Sequence, residues 1–281
     1  MASFEYALCA TQGQRSYQED SAAVWPSQSL KGMVPEATFA WNAASLPEAQ
    51  FDGLVIVLAD GMGGHAGGAL ASKTICESFI QSWVDEIAKA KTPVEAGEAM
   101  HDRLHNALQA GNTRITDIVR ADPALSGMGS TLVGAVFGEH GLEWISVGDS
   151  PLYLFRREEM ALLNEDHSLA PALDKLAQDG KISTEQAKND PRRHMLRSAI
   201  TGEDLELIDI SRKPLTTEPD DYIIIASDGI HTLEEVELLR VVGAYASDGP
   251  RAVAEAIVRA IDNAGDPYQD NATVIAVKTL A

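Results

Sequence analysis

Cysteine is scarce in this chain: the 281 residues carry two, Cys9 and Cys76. One falls in a strand-like pattern and the other in a helical one. Each reads as a small buried hydrophobe rather than half of a disulfide or metal pair, which fits a reducing compartment. Basic charge is also thin, with 22 Lys and Arg against 42 Asp and Glu, a formal charge of −20. Such a surface repels a phosphodiester backbone and an anionic bilayer, which excludes general nucleic-acid binding and membrane adhesion. No apolar run reaches the length needed to span a bilayer, and Met1–Glu5 lacks the basic and apolar regions of a secretory signal. Repeats, low-complexity tracts and dividing linkers are missing too. With 45% hydrophobic residues, the expectation is a cytoplasmic, monomeric protein with one large core, spanning 1–281 as a single domain.

What is present alternates between two periods. Residues 3–11, Ser21–Trp25, Thr131–Phe137, Leu142–Val147, Leu152–Arg156, Tyr222–Ala226 and Thr273–Val277 read as strands, and Leu54–Ala59 is a continuous apolar run of strand length. Helical spacing is expected over 69–90, from Pro93 to about Arg120, and over 233–245 and 250–263. Residues 168–200 read as short polar helices broken at Gly180, and 26–52 as a loop or insertion. Helices come in pairs while most strands follow one another as hairpins. This predicts an α+β fold, a sandwich of antiparallel sheets flanked by helices, rather than a repeated strand-helix-strand unit.

Carboxylates recur at the ends of the strands. Asp60 ends the apolar run and precedes Gly61; Asp149 lies between two strands in Val147-Gly-Asp-Ser150; Asp228 follows Tyr222–Ala226; Asp270 precedes the last strand; and Glu19-Asp20 stands before the second. Any one of these alone is a turn or a helix cap. Gathered at one end of a sandwich they repel one another, unless they hold hard divalent cations, which favour oxygen ligands. Magnesium or manganese suits such a set, and zinc does not.

In order, the chain carries Arg15-Ser-Tyr-Gln-Glu-Asp20, Ala59-Asp-Gly-Met-Gly-Gly-His65, Gly127-Met-Gly-Ser-Thr131, Val147-Gly-Asp-Ser150, Asp166-His-Ser168, Ser227-Asp-Gly229 and Asp270-Asn-Ala-Thr273. In these elements it resembles the metal-dependent serine/threonine protein phosphatases (PPM, phosphatase type 2C) of bacterial type, over about residues 5–277. The resemblance implies an α-β-β-α sandwich with a metal site at one end. It also implies Mn2+ or Mg2+ as two ions with a weaker third, and hydrolysis of phosphoserine and phosphothreonine in proteins phosphorylated by a Ser/Thr kinase. Carried over by position, Asp60 bridges the two metals, the Gly61 carbonyl binds one, and Asp228 and Asp270 complete the first site. Glu19, with Asp20 nearby, holds the second through water, and Asp149 with Asp228 forms the third. Arg15 corresponds to the arginine that grips the phosphoryl oxygens and His65 to the general acid toward the leaving oxygen, while about 168–200 corresponds to a flap.

Those roles agree with the chemistry. Hydrolysing a phosphomonoester dianion requires charge neutralisation and an activated water, a planar guanidinium matches two phosphate oxygens, and a histidine titrating near neutrality suits proton delivery. Two positions depart from the family pattern: Gln18 stands where Asn is usual, and Pro151 follows Gly-Asp-Ser where Arg is common. Competing motifs are weaker. Gly61-x-Gly63-x-x-Ala66 fits a dinucleotide fingerprint, but Asp60 would oppose the pyrophosphate. His101 and His105, one helical turn apart, lack a third zinc ligand nearby, and Ser150 lacks the esterase elbow. The remaining alternative is a pseudophosphatase acting as a binding or sensor module, which predicts a missing ligand or arginine.

Overall fold

The computed structural model describes residues 3–26, 31–33, 40–42, 53–64, 66–89 and 100–280. Among these residues thirteen strands form two sheets. The first contains β1 (Phe4–Thr11), β3 (Lys31–Met33), β9 (Leu152–Arg156), β10 (Glu159–Leu162), β12 (Tyr222–Ala226) and β13 (Ala272–Thr279), in the order β10-β9-β12-β13-β1-β3. The second contains β2 (Asp20–Pro26), β4 (Ala40–Asn42), β5 (Leu54–Met62), β7 (Leu132–Gly138), β8 (Gly141–Val147) and β11 (Asp209–Ile210), in the order β11-β8-β7-β5-β2-β4, with β6 (Gly129–Ser130) paired to the end of β5. Pairing is antiparallel except where β3 joins β1 and β4 joins β2. Helices α1 (Ala66–Lys89) and α2 (Met100–Ala121) cover one face; α5 (Glu235–Tyr245) and α6 (Pro250–Ala264) cover the other. The short helices α3 (Ala170–Gln178) and α4 (Thr184–Lys188) lie between β10 and β11 in the chain.

The strands with no polar alternation are those covered on both faces. Along β5, Leu54, Ile56 and Leu58 point between the sheets, where they meet Phe4, Leu8, Ile223 and Ile275. Val55, Val57 and Ala59 point the other way, onto Ile75, Phe79 and Trp83 of α1 and Leu104 and Leu108 of α2. On β12 the same alternation sends Ile223 and Ile225 inward, and Tyr222, Ile224 and Ala226 toward Val253, Ile257 and Ile261 of α6. Helix ends follow local chemistry: Pro250 occupies the first turn of α6 and Gly265 caps it in the left-handed region, while Ser183 and Gln186 form a reciprocal capping box on α4.

The four-layer arrangement and the paired helices agree with the sequence reading, and the eight expected strands fall within a few residues of their expected limits. The differences are at the margins. β6, β10 and β11 are additional, and the stretch read as a loop contributes β3 and β4. The expected helix start at Pro93 and the rest of 26–52 lie outside the described residues. Among the described residues no helix is long and apolar enough to cross a membrane. Phe79 is fully buried under the second sheet, so Phe79→Ala is expected to cost about 3–5 kcal/mol in urea unfolding. Leu162→Ala, on an exposed edge strand, is expected to change little. Equal losses would contradict this assignment of the core.

Candidate active site

Strand ends from both sheets deliver the acidic residues to one edge of the sandwich. Asp20 opens β2 and Asp60 lies directly opposite it on β5 in the antiparallel register. Like charges facing each other in this way destabilise a sheet. Asp228 begins the 3-10 turn that follows β12, Asp149 lies in the turn between β8 and β9, and Asp270 precedes β13. A cleft of about 710 Å³ is lined by Arg15, Glu19, Asp60, Gly61, Asp149, Asp228 and Asp270. The structure therefore brings together every sequence-selected site residue within its description except Asp20, which is buried behind the cleft wall. His65 lies outside the described residues.

Asp20 ties the two sheets. Its Oδ2 accepts hydrogen bonds from Ser227 Oγ and Thr273 Oγ1, both at 2.7 Å and both from the opposite sheet. Its other oxygen, Oδ1, is buried with no hydrogen-bond partner, as is Asp228 Oδ1. Asn271 fixes the loop before β2: its Oδ1 accepts from Glu19 N at 2.8 Å and its Nδ2 donates to the carbonyls of Gln12 at 2.9 Å and Tyr17 at 3.1 Å. Glu19 is held against the start of α1, where a Cβ on Gly68 would come within 2.1 Å of Glu19 Oε1. Glycine at that position is thus a requirement for the carboxylate to sit there. Asp60 is steadied through its backbone, its N–H donating to Thr131 Oγ1 at 3.1 Å and its carbonyl accepting from Ser130 Oγ at 2.7 Å.

The electrostatics are those of crowded anions. Burial, opposed by the hydroxyl bonds from Thr273 and Ser227 and reinforced by Asp228 and Asp270, pushes the Asp20 carboxyl up to about 7. Burial and then Asp228 and Asp166 push Asp149 up to about 7 as well. Asp60 is driven well up by burial, then by Asp20, Asp228 and Asp149, and Asp228 is raised by burial and Asp270. Arg15 forms an ion pair with Asp270, and Asp60 and Asp228 lie close enough to influence each other's ionisation. With these contacts in place, no three His, Cys, Asp or Glu side chains among the described residues converge as a ready-made cation cage. The donor set nonetheless fits divalent cations. It is all oxygen, it includes two buried acceptors that no protein donor satisfies, and its mutual repulsion exceeds what the Arg15–Asp270 pair relieves.

Both departures from the family pattern are accommodated. Gln18 is buried and its Oε1 accepts from Asp20 N at 3.3 Å. The Pro151 carbonyl accepts from Ala226 N at 3.1 Å, and a proline at the start of β9 has no N–H to leave unpaired. Sequence reasoning missed the flap residues His194 and Arg197, which line the cleft; His194 faces Asp228 closely enough to favour its charged form. No motif or spacing signals them, since the chain returns to the cleft there only after α3 and α4.

These shifts have a measurable consequence. A carboxyl whose folded pKa exceeds its unfolded value of about 4 contributes stability below that value and loses it as pH rises through the folded pKa. In EDTA, the melting temperature is expected to fall as pH rises from about 4 to beyond 7, and Asp149→Asn is expected to make that fall shallower. Added Mn2+ at pH 7.5 is expected to raise the melting temperature, by about 2.7 kcal/mol of stability at a hundred times Kd. An unchanged pH slope in the variant, or no Mn2+ effect on the unmodified protein, would contradict the assignment.

The profile of protein phosphatase 2C matches residues 47–247. Serine/threonine phosphatase stp of Listeria welshimeri is 30% identical over 225 residues, covering 80% of this chain and 84% of that protein. The Listeria innocua stp is 33% identical over 176 residues, and there the chain spans 66% of its relative. For the serine/threonine protein phosphatase PstP of Mycobacterium tuberculosis, at 31% identity, it spans 31%. The crystal structure of the PstP catalytic domain in complex with 2 manganese ions has a TM-score of 0.71 and 25% identity, with 100% of both chains covered. Stp1 of Staphylococcus aureus has a TM-score of 0.73 at 20% identity, covering 99% of this chain and 95% of that one. With a profile match across most of its length and a relative of this identity over four-fifths of it, the chain belongs to the protein phosphatase 2C family.

Proposed function

We propose that this chain, as one phosphatase domain, hydrolyses phosphoserine and phosphothreonine in proteins, with Mn2+ or Mg2+ held by Asp60, the Gly61 carbonyl, Asp228 and Asp270 at one site and by Asp60 and Glu19, with Asp20 nearby, at a second. Asp149 and Asp228 form a weaker third. The observation that carries the reading is the set of crowded, partly buried carboxylates around one open cleft, whose mutual repulsion the Arg15–Asp270 ion pair relieves only in part. When bound, the ions supply charge neutralisation for the phosphoryl group and a water of lowered pKa for in-line attack.

The protein's own residues do the rest. Thr131 and Ser130 hold the Asp60 backbone, and the Ser227 and Thr273 hydroxyls hold Asp20, so the carboxylates do not need to reorganise when charge arrives. Arg15 is exposed, and its partner Asp270 is one of the proposed ligands. A phosphoryl group presents the same kind of paired oxygens to the guanidinium, so Arg15 can exchange one for the other and orient the substrate. His65 delivers the proton to the leaving serine or threonine oxygen, the role its position in the family motif implies. No serine or cysteine nucleophile is required.

Substrates are phosphoproteins, the products of a Ser/Thr kinase, met by a monomeric cytoplasmic enzyme. Nothing favours a pseudophosphatase, because Arg15, Glu19, Asp60, Asp228 and Asp270 are all present in the sequence. Release of phosphate from a phosphothreonine peptide is expected with Mn2+ and is expected to stop in EDTA. Asp228→Asn is expected to lower kcat by at least about a hundredfold. Arg15→Ala is expected to raise KM about tenfold with a smaller change in kcat. Metal-independent turnover would overturn the reading, and a KM unchanged in Arg15→Ala would remove Arg15 from phosphate binding.

A further inference from the structure

His167, in the Asp166-His-Ser168 element, has no task in the chemistry above, yet it is buried at 2% exposure and takes both backbone polar groups of one residue. Its ring Nδ1 accepts the Gly148 N–H at 3.2 Å, and its own N–H donates to the Gly148 carbonyl at 3.0 Å. Because Nδ1 accepts, the ring proton of this neutral histidine sits on Nε2. That nitrogen is buried with no hydrogen-bond partner, a cost the fold bears to keep the ring where it is. Burial lowers the His167 pKa, against the pull of Asp209, Glu165 and Asp166 and with that of Arg197, which favours the neutral form.

The residue it grips directly precedes Asp149. Gly148 has φ +105°, and a Cβ there would lie 2.6 Å from Thr131 Cγ2, so the loop is pressed onto Thr131. Thr131 Oγ1 in turn contacts Ser150 Oγ at 2.8 Å and accepts from Asp60 N. On its other side, His167 reaches the flap. Its carbonyl accepts from Arg197 N at 2.8 Å, Leu169 N donates to the Met195 carbonyl at 3.0 Å, and Ser168 pairs with Leu196 in an antiparallel bridge. The strip from Met195 to Arg197 lines the cleft. One buried side chain and its backbone thus fasten both the Asp149 loop and the strip that a substrate would touch. Asn164 holds the far end of the same loop, its Oδ1 accepting from Leu152 N at 2.8 Å and its Nδ2 donating to the Ser150 carbonyl at 3.0 Å.

We propose that His167 is a positioning residue: its buried ring and its backbone set the Asp149 loop and the flap strip 195–197 as one unit. Its bearing on catalysis rests on the function given above; the mechanical link does not. The test is hydrogen exchange on the metal-free protein together with calorimetric Mn2+ titration. His167→Leu, close in volume but without the acceptor, is expected to speed exchange in both 146–152 and 195–199, and to weaken the weakest Mn2+ site about tenfold. His167→Asn, whose Oδ1 can replace Nδ1, is expected to restore both. Asn164→Ala is expected to loosen 149–152 alone. If His167→Leu fails to fold, His167→Gln, which keeps polarity but overreaches the Gly148 amide, makes the same comparison. Faster exchange confined to 165–169 with unchanged Mn2+ affinity, or a His167→Asn protein as loose as the leucine variant, would overturn the proposal. Absence of phosphopeptide turnover in the unmodified protein would instead overturn the assigned function and leave the exchange result standing.

Discussion

Repulsion among buried carboxylates is the constraint on which this molecule turns. Asp20 and Asp60 face each other across paired strands, and Asp149, Asp228 and Asp270 crowd the same end. A fold selected for stability alone would not place like charges there, because each raises the cost of ionising the others. The arrangement makes physical sense when cations belong to it: the repulsion that weakens the bare protein becomes attraction for divalent ions, and positive charge appears where a phosphate dianion must sit. An acidic surface and an anionic substrate are therefore compatible, since the local field at the cleft opposes that of the whole.

The sandwich meets the cost by pinning the site from behind. Asp20 uses one oxygen to join the sheets through Ser227 and Thr273, so the strand ends that carry Asp60 and Asp228 move together. The core beneath is apolar and close-packed, with fully buried residues on both faces of β5, β12 and β13, which gives the rigidity that precise ligand placement needs. The cleft's outer wall includes the flap strip 195–197, linked through the His167 backbone to the loop that holds Asp149.

Much of this was legible in the sequence. Leu54–Ala59 and Tyr222–Ala226 were readable as strands because burial on both faces removes polar residues altogether. The site acids were readable because each stands at the boundary of such a run. What escaped has a physical cause in each case. β10 is short and mostly open to solvent and β11 is two half-buried residues, so neither alternation nor a run marks them. Ser227 precedes Asp228 after one strand and Thr273 lies at the start of another, and only the approach of the two sheets turns their hydroxyls into the anchor of Asp20. His194 enters the cleft through a long chain excursion, a contact that no local pattern encodes. Gln18 and Pro151 are the two departures from the family pattern. Side-chain acceptance by Gln18 and carbonyl acceptance by Pro151 show how those loops keep their shape.

The claim that the carboxylates form a divalent-cation centre is tested most directly by anomalous diffraction from crystals grown with Mn2+. Density peaks are expected between Asp60, Asp228 and Asp270 and between Asp60 and Glu19, with a weaker one beside Asp149 and Arg15 released from Asp270. A crystal at saturating Mn2+ with no peak in the cleft, and Arg15 still paired to Asp270, would contradict it.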